Sequence, residues 1–263
     1  MASESHVELN EVVRQYDGPP AIQALGPIDL VIDRGEFFSI VGPSGCGKST
    51  LLDVVCGLAQ PTSGSVRFEG KELCVEVPEG VGVVFQEDSS MPWLSVRQNV
   101  AFGLRTSGLS KKQVAERVDH AVGFMGLAQF ADHYPAQLSG GMRQRVCIAR
   151  TLVLRPRLIL LDEPFGALDQ QTRLLMGDEL LRLWRETGAT VLLITHALDE
   201  AAMLSDRVGV MSARPGRFID MIETGWPRDR DSRVVSDREF GALTARLWSS
   251  LREESLKAMG RAA

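Results

Sequence analysis

A glycine-rich segment that follows an apolar run has the residue types of a phosphate-binding loop. The segment comprises Gly42, Pro43, Ser44, Gly45, Cys46, Gly47, Lys48, Ser49 and Thr50. Its glycines let backbone N–H groups converge on phosphate oxygens, Lys48 can reach the β- and γ-phosphates, and the Ser49 hydroxyl is placed to ligate Mg²⁺. An incidental glycine turn is the weaker interpretation, because the segment lies between the predicted strand Phe37–Val41 and a helix predicted to begin near Lys48. The pattern predicts a nucleotide-binding site, in which Cys46 is a small spacer.

Two acidic residues come directly after another buried-type strand, Leu158–Leu161. Asp162 can hold Mg²⁺ directly or through water. Glu163 can orient or deprotonate a water molecule that attacks a phosphate. Taken alone, a strand that ends in Asp-Glu is often only a solvated sheet edge. Together with the phosphate loop, the pair predicts the catalytic half of a hydrolytic site.

Three single residues are placed to complete this site. Gln86 follows the predicted strand Val81–Phe85 and can contact Mg²⁺ or the attacking water, which makes it both a catalytic and a metal-binding candidate. His196 follows Val191–Thr195 and can contact the γ-phosphate, and Tyr16 can stack on adenine. Each also has an ordinary interpretation, since a lone Gln or His is usually structural and a lone aromatic is usually core. Their order around one predicted pocket favours binding.

A second loop, Leu138–Met142, is also suited to an anion. Ser139 offers a hydroxyl, and Gly140 and Gly141 leave their backbone N–H groups accessible. Apolar residues then recur with helical spacing at Val146, Ala149 and Leu152 or Val153. The loop is therefore predicted to begin a helix whose positive dipole end faces the same anion. The chain thus has two phosphate-facing loops but one predicted nucleotide pocket.

Composition limits the class of protein. The chain has 263 residues, 44% of them hydrophobic and 24% charged, which is typical of a globular protein with a sizeable core. Its net charge of −5 disfavours nucleic acid as a partner. The start of the chain lacks the apolar segment of a signal peptide, and no apolar run approaches the ~20 residues that cross a bilayer. The four cysteines are Cys46, Cys56, Cys74 and Cys147, whose spacing disfavours a disulfide framework or zinc site and favours a reducing compartment.

Short strand-like runs alternate with helical patterns, which predicts an α/β domain. Further strands are predicted at Val7–Val13, Ile28–Ile32, Arg207–Met211 and Arg217–Ile222. Capping-box patterns predict helix starts at Ser95, with Gln98, and at Ser110, with Gln113. Residues 94–136 are mostly helical and interrupt the alternation, so they are predicted to be an inserted subdomain. A final amphipathic helix is predicted from about Asp237, with one apolar face of Phe240, Leu243, Leu247 and Leu251.

In this order, residues 7–222 resemble the ATP-binding cassette of ABC transporters. The matches are Gly42–Thr50 to Walker A, Asp162 and Glu163 to Walker B and the catalytic glutamate, Leu138–Met142 to the signature, Gln86 to the Q-loop, Ala167–Asp169 to the D-loop, His196 to the H-loop and Tyr16 to the adenine-stacking aromatic. The resemblance implies a RecA-like core, an N-terminal antiparallel β subdomain and a helical subdomain at about 94–154. It also implies a cassette domain at 1–222, with a C-terminal helical extension at 223–263 packed on it.

The resemblance further implies ATP and Mg²⁺ as cofactors and a head-to-tail pair of identical chains. Ser139, Gly140 and Gly141 would then cover the nucleotide held by the other chain, which reconciles two loops with one pocket. ATP hydrolysis in such a pair drives a transmembrane permease. The expected location is the cytoplasmic face of the inner membrane, held there through the permease, with a periplasmic solute-binding protein as an indirect partner and no nucleic acid.

Several segments resemble those of nitrate, sulfonate and taurine importers. They are Met91–Val96 after the Q-loop, Phe165–Arg173, and Arg214–Arg217. In that group the stretch after the Q-loop receives a helix of the permease, so Trp93 either lines that groove or is a core residue. Ala197 stands where the family often has an acidic or amide residue, which leaves the role of the preceding histidine intact. The expected cargo is a small anion.

Two other classes fit less well. A non-transport cassette ATPase acting on DNA or ribosomes usually carries a coiled-coil insertion or two cassettes, and neither pattern occurs in this sequence. A generic phosphoryl-transfer enzyme closes its site with its own lid, and so does not need the signature loop. A transport ATPase is the favoured prediction.

Overall fold

The computed structural model describes residues 5–86, 89–166 and 168–260. Within these ranges the chain forms two sheets flanked by helices, which confirms the predicted α/β class. The strands are β1 (Ser5–Tyr16), β2 (Ile22–Asp33), β3 (Phe37–Val41), β4 (Ser63–Phe68), β5 (Lys71–Glu72), β6 (Val81–Val84), β7 (Leu158–Asp162), β8 (Thr190–Ile194), β9 (Arg207–Met211) and β10 (Phe218–Glu223). The α-helices are α1 (Lys48–Val55), α2 (Val96–Ala101), α3 (Lys111–Phe124), α4 (Gly140–Leu152), α5 (Gln170–Thr187), α6 (Leu198–Leu204) and α7 (Arg238–Ala258).

The larger sheet positions the predicted site residues. Its strand order is β10-β9-β3-β8-β7-β6, with every neighbouring pair parallel except β9 and β10. Both faces are covered: Phe37 belongs to the core cluster with α4, α5 and α6, whereas Phe38 belongs to the cluster with α1 and the smaller sheet. Strands buried on both faces are continuous apolar runs, which is why β7 and β8 can be located from the sequence. The carboxyl ends of β3, β6, β7 and β8 meet at one edge.

The smaller sheet is antiparallel and has the order β2-β1-β4-β5. The predicted strand at residues 7–13 lies inside β1, and the predicted strand at residues 28–32 lies inside β2. The strands β4 and β5 were not predicted. Their sequence explains the omission, because β4 begins with Ser63, Gly64 and Ser65 before its only apolar residues, Val66 and Phe68. Pairing with β1 rather than local pattern makes this segment a strand.

Helices α2, α3 and α4 form the region between β6 and β7. Both predicted capping boxes are confirmed, since Ser95 and Ser110 each accept from the backbone N–H of the glutamine three residues later. Helix α4 packs against α2, α3 and β6, which attaches this helical region to the larger sheet. The division of the chain into a cassette at 1–222 with an inserted helical subdomain at 94–154, and an extension at 223–263, stays a prediction.

The last helix lies on the larger sheet. Asp237 is the N-cap residue of α7, and the predicted apolar face (Phe240, Leu243, Leu247 and Leu251) is buried against α6 and β9. The segment that leads to it is also anchored, because Arg230 pairs with Asp206 at 2.8 Å and lies over the ring of the buried Trp184. No helix in the described ranges is both long and apolar enough to cross a membrane.

Candidate functional site

The phosphate loop connects the end of β3 to the start of α1. Gly47 has φ = +113°, and a Cβ atom there would lie 2.8 Å from the Ala24 carbonyl oxygen, so this position requires glycine. Lys48 is buried, and its Nζ donates to the carbonyl oxygens of Gly42 at 2.9 Å and Pro43 at 3.0 Å. The ammonium is therefore held inside the loop, beside the first-turn N–H groups of α1. Lysine charge and free helix N–H groups at one place suit a phosphate.

Cys46 is buried within the same loop. Burial raises the pKa of its thiol, and the neighbouring Lys48 opposes that shift only in part. A thiol that stays protonated at neutral pH is a weak nucleophile, so this environment matches a packing residue.

Asp162 is the last residue of β7 and is 7% exposed. Burial raises the pKa of its carboxyl group, while a hydrogen bond from the Ser49 hydroxyl lowers it and the adjacent Glu163 raises it further. Its buried Oδ1 atom has no hydrogen-bond partner among the described residues. A buried carboxylate oxygen without a protein partner is uncommon. Together with the neighbouring serine hydroxyl, it is the kind of hard oxygen ligand that Mg²⁺ prefers.

Glu163 is the centre of a three-residue cluster. Gln86 Nε2 donates to Glu163 Oε2 at 3.1 Å, and His196 Nδ1 lies 3.1 Å from the same oxygen. Glu163 also has φ = +46°, a conformation that non-glycine residues seldom adopt, and its N–H donates to the Ile194 carbonyl at 2.8 Å. Backbone strain of this kind is concentrated at functional sites. The structure therefore brings together three residues that the sequence places on three different strand ends.

A buried network behind His196 was not predicted. Thr195 Oγ1 donates to Glu200 Oε2 at 2.6 Å, and Arg173 Nε lies 3.2 Å from Glu200 Oε1. Glu200 is 5% exposed, and burial raises the pKa of its carboxyl group against the opposing effects of Thr195 and Arg173. Arg173 also donates to the Leu168 carbonyl at 3.2 Å. The network thus joins the start of α5 to the residue before His196, and no local pattern in the sequence signals it.

A cavity of about 470 Å³ opens over the phosphate loop. Its lining comprises Tyr16, Ile22, Ala24, Ser44, Gly45, Gly47, Lys48, Ser49, Thr50, Gln86, Glu163 and Arg214. Tyr16 is 41% exposed and its hydroxyl lies 3.4 Å from Thr50 Oγ1, so the alternative that it is a core residue is wrong. A larger cavity, about 530 Å³, lies among α3, α4 and α5, but none of the motif residues lines it. The smaller cavity is therefore the better candidate for the nucleotide site, because the phosphate loop and Glu163 line it.

The signature loop lies apart from this cavity. Ser139 caps α4, its Oγ accepting from the Met142 N–H at 3.3 Å, and none of Ser139, Gly140 and Gly141 is among the described residues that line the cavity. Leu168 packs directly against the loop, since a Cβ atom on Gly141 would lie 2.5 Å from its Cδ2. Ala167, the first residue of the predicted D-loop, lies outside the described residues.

Trp93 follows the Q-loop and is 71% exposed. The alternative that it is a core residue is therefore wrong. Asn99 fixes the backbone around it, because its Nδ2 donates to the carbonyl oxygens of Met91 at 3.1 Å and Leu94 at 2.9 Å. The chain thus presents an indole ring to the outside on a well-anchored segment.

Residues 25–166 match the family described as ABC transporter. An ABC transporter ATP-binding protein of Methanocaldococcus jannaschii is 45% identical over 238 residues, covering 90% of this chain and 88% of the relative. The nitrate import ATP-binding protein NrtD of Synechocystis is 41% identical over 254 residues, covering 94% of this chain and 95% of the relative.

Solved structures agree with the architecture. A dimeric post-hydrolysis structure of the cassette MJ0796 with ADP and Pi superposes with a TM-score of 0.75 at 32% identity, covering 84% of this chain and 100% of that one. The cbiO1 protein of Clostridium perfringens, part of the transporter complex cbiONQ, superposes with a TM-score of 0.76 at 30% identity, covering 90% and 92%. The chain belongs to the ABC transporter family and is an ATP-hydrolysing cassette of that family.

Proposed function

We propose that ATP is hydrolysed in the cavity over the phosphate loop, with Glu163 as the general base or water-orienting group. The observation that carries this proposal is the convergence of Gln86 and His196 on one carboxylate oxygen of Glu163, at 3.1 Å each. Gln86 positions the attacking water, and His196 contacts the γ-phosphate. Lys48 stabilises the negative charge that develops on the transferred phosphoryl group. Tyr16 stacks on adenine, while Gly42–Thr50 surround the phosphates.

Ser49, Gln86 and Asp162 are the residues that would hold Mg²⁺. The buried, unpartnered Oδ1 of Asp162 supports this assignment, and the hydroxyl, amide and carboxylate oxygens of the set are hard ligands. When bound, the ion neutralises phosphate charge. The protein's own contribution is to keep Asp162 in a fixed position at the end of β7.

The complete site requires a second copy of the chain. The start of α4 is exposed or half-exposed at Ser139, Gly140 and Gly141. None of these three residues lines the chain's own nucleotide cavity. A head-to-tail pair would place them on the nucleotide of the partner subunit. The related cassette MJ0796 forms a dimer, which supports this arrangement.

The pair energises uptake of a small anion through a transmembrane permease. Identity of 41% over 94% of the chain to a nitrate import ATP-binding protein supports nitrate as the cargo, with an aliphatic sulfonate or taurine as the alternatives. The exposed Trp93 segment is the docking site for a helix of the permease, since it is anchored by Asn99 but uncovered. The cassette would then lie at the cytoplasmic face of the inner membrane, and a periplasmic binding protein would deliver the solute to the permease.

The replacement Glu163→Gln tests the catalytic assignment. It removes the charge of the carboxylate but keeps an acceptor for Gln86, so we expect ATP turnover to fall at least about 100-fold while ATP binding stays within about twofold. Turnover is measured as phosphate release, and binding by equilibrium titration.

Lys48→Ala is the matched control, because it should abolish nucleotide binding itself. Turnover by Glu163→Gln at a rate near that of the wild type would exclude Glu163 as the catalytic group.

To identify the cargo, ATPase stimulation by nitrate, taurine and an alkyl sulfonate is compared in a reconstituted complex. Stimulation by none of the three would contradict the anion-import proposal.

A further inference from the structure

The loop between β9 and β10 lies directly on the phosphate loop. Gly216 approaches so closely that a Cβ atom there would be 2.3 Å from the Cys46 carbonyl oxygen. Its N–H donates to the Ala24 carbonyl at 2.9 Å, and its carbonyl accepts from the Gly26 N–H at 3.0 Å. These contacts hold the β9–β10 loop against the phosphate loop, although the two loops are far apart in the sequence, and of residues 212–217 only Arg214 lines the nucleotide cavity.

Arg214 extends from the β9–β10 loop into the nucleotide cavity. Its Nε and Nη2 donate to the Gly45 carbonyl at 3.2 and 3.1 Å, and its side chain lines the cavity beside Ser44 and Lys48. No carboxylate among the described residues lies within ion-pair distance of its guanidinium group. A guanidinium group has further N–H donors that one carbonyl oxygen does not use. Arg214 therefore carries a cation with unused donors at the edge of a phosphate-binding loop.

The last helix holds the backbone next to Arg214. Glu254 of α7 is 8% exposed, and its Oε2 accepts from the Ala213 N–H at 2.8 Å. Lys257, one turn further along the helix, pairs with the other oxygen of the same carboxylate. Helix α7 thus accepts a hydrogen bond from Ala213, the residue immediately before Arg214 in the chain.

We propose that Arg214 is a nucleotide-binding residue that contacts the phosphate chain of ATP and ADP, and that Glu254 of α7 holds it in position. The proposal rests on the assignment of the cavity over Gly42–Thr50 as the nucleotide site. Arg214 adds a second cation to Lys48, from an element that follows the nucleotide-binding motifs in the chain. The C-terminal helix is thereby connected to nucleotide affinity rather than only to packing.

The test is an equilibrium titration of the full chain with ADP, which is not hydrolysed. We expect Arg214→Met to weaken ADP binding about 3- to 10-fold at low ionic strength, since an exposed guanidinium next to phosphates contributes a modest, salt-screened attraction. The effect should shrink in high salt. The ADP affinity of Arg214→Lys should lie between those of the wild type and Arg214→Met, because lysine keeps the charge but loses the fork geometry of the guanidinium group.

Arg217→Met is the matched control. Arg217 is also exposed, lies in the same loop and donates through Nε to a backbone carbonyl, that of Gly26, but it does not line the cavity. We expect the ADP affinity of the Arg217→Met variant to stay within about twofold of that of the wild type. A fall equal to that of Arg214→Met would mean that loop disruption, and not the position of Arg214, causes the loss. That result overturns the proposal.

A double-mutant cycle tests the role of the helix. Glu254→Ala should also weaken ADP binding. In the double variant it should add no further loss to that of Arg214→Met, because Glu254 is proposed to act only by holding Arg214 against the phosphate chain. Full additivity of the two losses would overturn the link to α7.

Lys48→Ala separates failure of the site from failure of the inference. If Lys48→Ala binds ADP like the wild type, the nucleotide site itself is misplaced. If Lys48→Ala loses binding but Arg214→Met binds ADP normally at low salt, only the inference about Arg214 is wrong.

Discussion

At the scale of single residues, Asp162 is suited to bind a cation but lowers the stability of the folded protein when no cation is bound. Its carboxyl group is buried, one of its oxygens has no hydrogen-bond partner among the described residues, and Glu163 and Asp53 add like charge nearby. Desolvation of an ionised carboxylate is unfavourable unless a cation compensates it. Its raised pKa means that the folded state holds the proton more tightly than the unfolded state, so stability is lost as pH rises through the folded pKa.

Asp162→Asn should therefore stabilise the nucleotide-free protein while impairing it as an enzyme. We expect the melting temperature at pH 7.5, without Mg²⁺ or nucleotide, to rise by a few degrees, because the amide has the same shape and no charge. Mg²⁺-dependent ATPase activity should fall by at least about tenfold. Thermal scans from pH 4.5 to pH 8 measure the first effect, and its size should shrink toward acidic pH, because the raised pKa lets the wild-type carboxyl group lose its charge as the pH falls. A lower melting temperature at pH 7.5 would contradict this account.

At the scale of elements, β8, α5 and α6 are joined by a charged network behind the catalytic cluster. Glu200 on α6 accepts from Thr195 and pairs with Arg173 on α5, which in turn donates to the carbonyl of Leu168. Leu168 packs on the signature loop through Gly141. A continuous set of contacts therefore runs from the residue before His196 to the loop that we propose covers the nucleotide of the partner subunit.

Glu200→Gln is expected to affect turnover more than nucleotide binding. It keeps an acceptor for Thr195 but removes the charge that holds Arg173, so we expect kcat to fall about 3- to 10-fold while the KM for ATP stays within about twofold. Because burial raises the pKa of Glu200, the wild type loses stability as pH rises through that pKa, and this variant should lose less.

The matched control is Glu186→Gln, which removes an exposed carboxylate from α5, the helix that carries Arg173. Glu186 lies 3.9 Å from Arg182, an exposed pair of the kind that contributes little. Equal losses of kcat in the two variants would show that the buried network has no specific role.

At the scale of the whole molecule, the separation of the two phosphate-facing loops implies a shared site. Lys48 and Ser139 both begin helices, yet only Lys48 lines the cavity among the described residues. A head-to-tail pair with twofold symmetry would contain two composite sites, each with the phosphate loop of one chain and the signature loop of the other.

Mixing Lys48→Ala chains with Ser139→Arg chains tests this geometry. Each pure variant has no intact composite site, whereas each mixed pair has one, so equimolar mixing should restore about a quarter of the wild-type sites. The measurement is nucleotide trapped per pair as well as phosphate release, because trapping does not depend on both sites acting together. Absence of trapped nucleotide at every mixing ratio would contradict the shared site.

Local patterns in the sequence determined much of this protein. The apolar runs of β3, β7 and β8, the capping boxes at Ser95 and Ser110, and the amphipathic face of α7 are all set by neighbours in the chain, and all are confirmed. The glycine and lysine spacing of Gly42–Thr50 likewise predicted the phosphate loop, because that loop depends on the backbone freedom of adjacent residues. The family was predicted from the same short motifs.

Only the tertiary structure decided which of these residues meet. Gln86 and Glu163 are 77 positions apart, and Arg214 and Gly45 are 169 apart, so strand order rather than local pattern brings each pair together. The same holds for β4, which is a strand because it pairs with β1. Exposure of Trp93 also depends on packing, since an isolated indole fits a core and a surface equally well. Local sequence sets backbone conformation, whereas contacts across the fold depend on free energies that many distant residues share.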